Sequence, residues 1–268
     1  MPGNPDGSSS NSGIEPLGAS ALCFSLMLIY LFLATTLNWG PYTVSWEEYG
    51  VGEIPKETPV FSISKGGRTV RSFEVWNATA ETLDVDGDGA AELLLTDYSG
   101  GAHCCFTYYL YTRKPSLRPL GVFDMGNDML SFQDLDGDGI AEAVGSYDGF
   151  AYYDYSYAAS PSLPIVFSLK GGKYVENTKA FPDIIQKSLD EYLAAPPEND
   201  EEYRKSWATA VYAHMVLLGQ ESSAWETIKR SCPDMLDWLS RNSSSIKKIL
   251  RAMGARVRYS EAKGDGDD

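Results

Sequence analysis

The sequence predicts a mainly β protein with a C-terminal α-helical domain, its antiparallel sheets gathered in an open, compact β-domain. Three observations carry this. Between about Val60 and Val175, short runs rich in Val, Ile, Phe and Tyr are punctuated by Gly, Pro and Asp, the pattern of strands and turns. An acidic nonapeptide occurs there twice, at Asp84 to Glu92 and again fifty positions later at Asp134 to Glu142. From Pro182 onward the apolar residues recur at three- and four-residue intervals, the period of helices packed on a core.

Residues 1–16 are mostly turn formers and read as disordered. Residues 17–38 read as a transmembrane anchor or signal segment, because about twenty positions pass without a charge. That length suits a membrane span and exceeds the roughly 7–15-residue core of a signal peptide. No Lys or Arg precedes the segment, and the first basic residue of the chain is Lys56, so charge does not orient it. A retained anchor, a cleaved signal and a buried core helix all stay open. Trp39, Tyr42 and Trp46 follow directly and are placed to sit in the interfacial belt of a membrane. Cys23 lacks the small preceding residue of a lipobox, which argues against a lipoprotein.

The β-domain is expected over residues 39–180. Val60-Phe61-Ser62-Ile63 forms a strand, Lys65-Gly66-Gly67 a turn, and Thr69 to Val75 alternates apolar with polar residues. The first nonapeptide comes next. Both copies read D-x-D-G-D-G-x-x-E and lie between short apolar runs. Aspartates at alternate positions turn inward when such a loop curls, and Gly89 and Gly139 permit the positive φ of the sharp turn. Two carboxylates about 4 Å apart repel by roughly 4 kcal/mol at an effective dielectric of about 20, and a divalent cation reverses that sign. An EF-hand is excluded: its twelfth loop position requires a bidentate Glu, and Leu95 and Gly145 stand there. Magnesium is disfavoured, since it prefers octahedral geometry and retained waters.

D-x-D-x-D-G-x-x-[DE] between strands resembles the calcium loop of FG-GAP/VCBS repeats, the blades of integrin-type β-propellers. The resemblance implies two Ca²⁺ sites. One would be ligated by Asp84, Asp86, Asp88 and Glu92 with the Ala90 carbonyl, the other by Asp134, Asp136, Asp138 and Glu142 with the Ile140 carbonyl. It also implies that calcium braces the sheets and leaves ligand contact to other surfaces. The fifty-residue spacing is close to one four-stranded blade. A propeller needs about four blades to close, and the sequence holds two marked units with a further, unmarked one before residue 80. Propeller-blade-like sheets in an open domain are therefore expected, not a closed propeller.

Cys105 to Tyr111 is rich in β-formers; Gly121 to Phe123 and Met129 to Phe132 lead into the second nonapeptide. Phe150 to Tyr157, Pro164 to Ser168 and the Gly171-Gly172 turn close the β-region, its aromatic residues expected as sheet core. A helical bundle follows over residues 181–256. Pro182-Asp183 opens the first helix, and Asn199-Asp200 caps a second with the stripe Tyr203, Trp207, Val211, Met215, Leu218. Ser223 to Glu226 reads as a capping box, Pro233 starts a short fourth helix, and Ser244 caps a fifth. Residues 257–268 read as a disordered acidic tail.

Outside the acidic loops one stretch stands out: Ser99-Gly100-Gly101-Ala102-His103-Cys104-Cys105. It is read as a structural turn with a disulfide among Cys104, Cys105 and Cys232, as a soft-metal site, or as a Cys–His nucleophile of an envelope hydrolase or thiol enzyme. His214 lies on the buried stripe of its helix and reads as a satisfied core histidine. No nucleotide-binding or metalloprotease motif occurs. A net charge of −15 with no basic run excludes nucleic acid as a partner and leaves membrane contact to the N-terminal segment. The function expected is a non-enzymatic, extracytoplasmic calcium-binding scaffold or interaction module with a protein or glycan partner; calcium loops of modest affinity suit an extracellular setting.

Overall fold

Three four-stranded antiparallel meanders follow one another along the chain, and helices complete the structure. The computed structural model describes residues 34–47, 58–100, 105–195 and 200–261. The first sheet holds β1 (Ala34–Trp39), β2 (Tyr42–Glu47), β3 (Val60–Lys65) and β4 (Arg68–Glu74) in chain order. The second holds β5 (Ala78–Leu83), β6 (Glu92–Tyr98), β7 (Phe106–Thr112) and β8 (Arg118–Gly126). The third holds β9 (Ser131–Gln133), β10 (Glu142–Tyr147), β11 (Leu163–Lys170) and β12 (Lys173–Glu176). Helices α1 (Pro182–Ala194), α2 (Glu201–Leu217), α3 (Glu221–Ser231) and α4 (Leu236–Arg251) come next, and β13 (Val257–Arg258) returns to pair with β8. No barrel or propeller closes among the described residues. The protein is thus mainly β, with open antiparallel sheets and C-terminal helices.

The second sheet is covered on both faces, which explains its composition. Successive residues of a strand point to opposite sides. Leu93, Leu95, Tyr109, Tyr111 and Val122 face the first sheet and pack with Trp39, Val44, Phe61 and Ile63. Leu94, Tyr108, Leu110, Phe123 and Met125 face the other way, into a core shared with Ile165, Phe167 and Tyr174 of the third sheet and with all four helices. A strand buried on both sides reads as an unbroken apolar run, as Leu93-Leu94-Leu95 does.

Several expectations are corrected. The uncharged N-terminal segment does not continue as a helix to residue 38: Ala34 to Trp39 pairs along its length with β2, from Ala34↔Glu47 to Trp39↔Tyr42. Residues 17–33 lie outside the described set, and no helix within it is long and apolar enough to cross a membrane. Gly40, with φ near +60°, and Pro41 turn the chain into a hairpin. Trp39 and Trp46 are consequently core residues of the first sheet at 2% and 4% exposure, and the Tyr42 ring lies under the Lys65 ammonium at 5.5 Å. They do not form an interfacial belt. Phe150 to Tyr157 is no strand but an aromatic connection docked on α4, where Tyr153 donates to Asn242 and Trp238 donates to Asp154. Residues 257–261 of the expected tail are ordered: β13 pairs with β8, Arg258 bonds to Asp124, and Tyr259 donates to the Tyr174 carbonyl at 2.7 Å.

Among the helices, Asp200 caps α2 as expected, accepting the N–H groups of Glu202 and Tyr203. Ser223 and Ser244 are not caps. α3 begins at Glu221, and Pro233 opens a single 3₁₀ turn that runs straight into α4, so the expected fourth and fifth helices are one. The Asn-Ser-Ser-Ser run at 242–245 has weak helix propensity, but Trp238, Leu239, Ile246 and Leu250 are buried on one side and packing overrides it.

Candidate metal centre

The two acidic nonapeptides are the β5–β6 and β9–β10 hairpins. They leave and rejoin their sheets at the same register, Leu83↔Glu92 and Gln133↔Glu142. Inside each loop the aspartates organise the backbone. Asp84 accepts the Gly89 N–H at 2.9 Å, Asp86 that of Asp88 at 3.2 Å, and Asp88 that of Ala90 at 2.8 Å. The second loop repeats the set: Asp134 accepts the Gly139 N–H at 3.0 Å, Asp136 that of Asp138 at 3.2 Å, and Asp138 that of Ile140 at 2.8 Å. Gly89 and Gly139 have φ of +75° and +85°, as the turn demands.

This bonding converges the carboxylates. Asp84, Asp86 and Asp88 each bring a ligand oxygen within 4.8 Å of the others, and so do Asp134, Asp136 and Asp138. A calcium ion binds oxygen at about 2.3–2.6 Å, so two ligands on opposite sides of it stand about 4.6–5.2 Å apart. The donor set of hard oxygens on flexible loops therefore fits that ion in kind and in size. Glu92 and Glu142 stand outside the 4.8 Å groups and brace the hairpins from within. Each is almost fully buried and accepts the N–H of the second loop residue, Val85 at 3.2 Å and Leu135 at 3.1 Å. Burial pushes both carboxyls up, Asp86 and Asp88 add to the rise at Glu92, and Asp136 and Asp138 add to it at Glu142. Ala90 is buried at the floor of its loop, while Ile140 is half-buried.

Sequence reasoning missed what surrounds the loops. The two hairpins abut: the Ala141 N–H donates to the Val85 carbonyl at 2.8 Å, and a Cβ on Gly87 would meet the Gly139 carbonyl oxygen at 2.8 Å. The carbonyl two residues beyond each loop glycine is held by an aromatic donor, Ala91 by Trp39 Nε1 at 2.6 Å and Ala141 by the Tyr174 hydroxyl at 2.6 Å. Burial first, then Glu142, Glu92 and Asp86, push the Tyr174 phenol up. The loops also differ in their charged neighbours. Lys114 Nζ bonds to Asp88 at 2.8 Å and, with the Ala90 N–H, holds that carboxyl below its usual range. No such cation meets the second aspartate group among the described residues. None of these partners was legible beforehand, because each comes from a part of the chain distant in sequence from the loop it meets.

The second unusual stretch is only partly in view. Ser99 and Cys105 are tied twice, by Ser99 N–H to the Cys105 carbonyl at 3.1 Å and by Cys105 N–H to Ser99 Oγ at 2.9 Å, which closes the excursion between β6 and β7. His103 and Cys104 lie outside the described residues. Cys232 is a free, buried thiol, so it takes no part in a disulfide. His214 is fully buried with both ring nitrogens bonded, Nδ1 to the Ala210 carbonyl and Nε2 to Ser188 Oγ.

No family model matches the chain, and no solved structure matches it. A probable thylakoid lumen protein of Synechocystis sp. is 27% identical over 221 residues, which cover 71% of this chain and 63% of the relative. The chain thus spans less than two thirds of that relative's length.

Proposed function

We propose that the chain is a non-enzymatic, extracytoplasmic scaffold or interaction module of FG-GAP/VCBS type. Two calcium ions brace it, one in the β5–β6 hairpin and one in the β9–β10 hairpin. The observation that carries the reading is the pair of aspartate triads: two loops at the same hairpin register, each with three carboxylate donors within 4.8 Å of one another. Asp84, Asp86 and Asp88, and Asp134, Asp136 and Asp138, would hold the ions. The Ala90 and Ile140 carbonyls and the Glu92 and Glu142 carboxylates complete the expected ligand sets. Bound calcium supplies charge neutralisation and fixes the turn between two strands; the chain's own backbone N–H groups already orient the ligands. The extracytoplasmic placement is supported by the relative described as a probable thylakoid lumen protein. The partner, a protein or a glycan, would be met on other surfaces.

Titration calorimetry on chelator-stripped protein tests this. Two calcium equivalents with measurable heat are expected, and one should disappear in Asp86→Ala and the other in Asp136→Ala. Melting should fall on chelation, by about 2.7 kcal/mol of stability per site when calcium had stood at about a hundred times its dissociation constant. Identical melts with calcium and with chelator would sink the proposal.

A further inference from the structure

A cavity of about 380 Å³ lies where the C-terminal ends of α2 and α4 meet the chain leaving β12. Leu217, Leu250 and Met253 give it an apolar lining, and all three are buried. Three cations line the same space: Lys247 and Arg251 of α4, and Lys179 of the 3₁₀ turn Thr178–Ala180. Such a cluster is an exception in a chain of 37 acidic and 22 basic residues.

Its charges are unequally committed. Lys247 Nζ bonds to Glu221 at 2.9 Å, and that carboxylate also accepts the Tyr212 hydroxyl. Glu176 lines the cavity as well, and its Oε1 accepts the Thr178 N–H at 2.9 Å. Lys179 and Arg251 differ. Both are exposed, and among the described residues neither side chain has an ion pair or hydrogen bond. The carbonyl end of α4 accounts for a cation at Arg251. It does not account for Lys179, which another element brings to the same cavity. With Lys247 offset by Glu221, the two free cations against the Glu176 carboxylate leave a single positive charge.

We propose that this cavity binds a free amphipathic monocarboxylate, an apolar chain with one negative head. The head takes up the charge that Lys179 and Arg251 leave over, and the Arg251 guanidinium offers the fork that suits a carboxylate. The chain covers Leu217, Leu250 and Met253, removing apolar surface from water. A phosphate dianion would exceed the charge available and leave the apolar lining unused. A neutral chain would fill the lining and leave the cations unmet. The net charge of −15 opposes approach to an anionic bilayer, which favours the free acid over a lipid headgroup. No residue of either acidic hairpin lines the cavity, so the inference goes beyond the calcium reading and does not rest on it.

Octanoate, well below its micelle concentration, is the probe for calorimetric titration at low salt. One equivalent should bind, more tightly than acetate, inorganic phosphate or octanol. Hexanoate should bind more weakly, by up to about fourfold for each methylene removed. Arg251→Gln and Lys179→Gln, both at exposed positions, should melt with the parent protein and bind about two- to fivefold more weakly. Lys248→Gln, exposed on the same helix but outside the cavity, should bind as the parent does. No heat with octanoate, binding undiminished in either cavity variant, an equal loss in Lys248→Gln, or phosphate or octanol bound as tightly as octanoate overturns the proposal. Co-sedimentation with phosphatidylglycerol vesicles that octanoate does not displace overturns it too, by making the cations a contact for a lipid surface.

Discussion

Gly87 and Gly137 hold the same place in the two nonapeptides, with φ of +69° and +81°, yet their surroundings differ. A Cβ at 137 would meet nothing within 4 Å, whereas one at 87 would press on the Gly139 carbonyl oxygen at 2.8 Å. Gly137→Ala should therefore cost only the left-handed backbone, about 1–2 kcal/mol. Gly87→Ala should cost about 1 kcal/mol more, because it must also part the two loops. Urea denaturation of both variants checks this, and equal losses would mean that the hairpins do not abut. His214 makes a second prediction at this scale. Burial holds its pKa below the usual value, against the Ala210 carbonyl and Glu191. The unfolded chain then takes up the proton first as pH falls. The stability that the neutral ring allows is present above about pH 6.5 and is lost as pH drops from there through the folded pKa. Urea midpoints at pH 7, 6 and 5 should decline more steeply in the parent protein than in His214→Gln.

Single elements show how far local sequence reaches. The acidic hairpins were legible because everything that shapes them, alternate aspartates and the intervening glycines, lies within nine residues. The stripe read on α2 was only half right. Trp207, Val211 and Met215 are buried, but so is every residue from Ser206 to Met215, since α1, α3 and α4 all pack on this helix. Amphipathic reading presumes a side facing water, and here there is none. Ala208, Ala210 and Ala213 are fully buried, where small side chains let the neighbouring helices close in. Ala213→Leu, nearly neutral in helix propensity, should thus lose about 1–3 kcal/mol by overpacking, read as a lowered urea midpoint. The N-terminal misreading has the opposite cause. The uncharged run from Leu17 outweighed the β-branched Thr35-Thr36 and the Gly40-Pro41 turn, which together make β1 a hairpin strand.

At the scale of the whole molecule, the second sheet joins the two hydrophobic cores, one toward the first sheet and one toward the third sheet and the helices. Neither core keeps its lining if that sheet is lost, so fluorescence and far-ultraviolet dichroism should report one coincident unfolding transition. Charge works against that cooperativity. The chain carries −15, and the two acidic hairpins, eight carboxylates between them, lie in contact through Val85 and Ala141. Without a divalent ion their repulsion spans less than the Debye length of about 10 Å at 0.1 M salt, where screening is incomplete. Raising sodium chloride from 20 to about 500 mM should then raise the melting temperature of chelator-stripped protein. On the proposed calcium reading the same salt step should do little, or lower melting slightly, once both loops hold their ions, because the repulsion has already been cancelled at short range. A salt response of equal size in the two states would show that the repulsion lies elsewhere on the acidic surface and that the abutting hairpins do not limit stability.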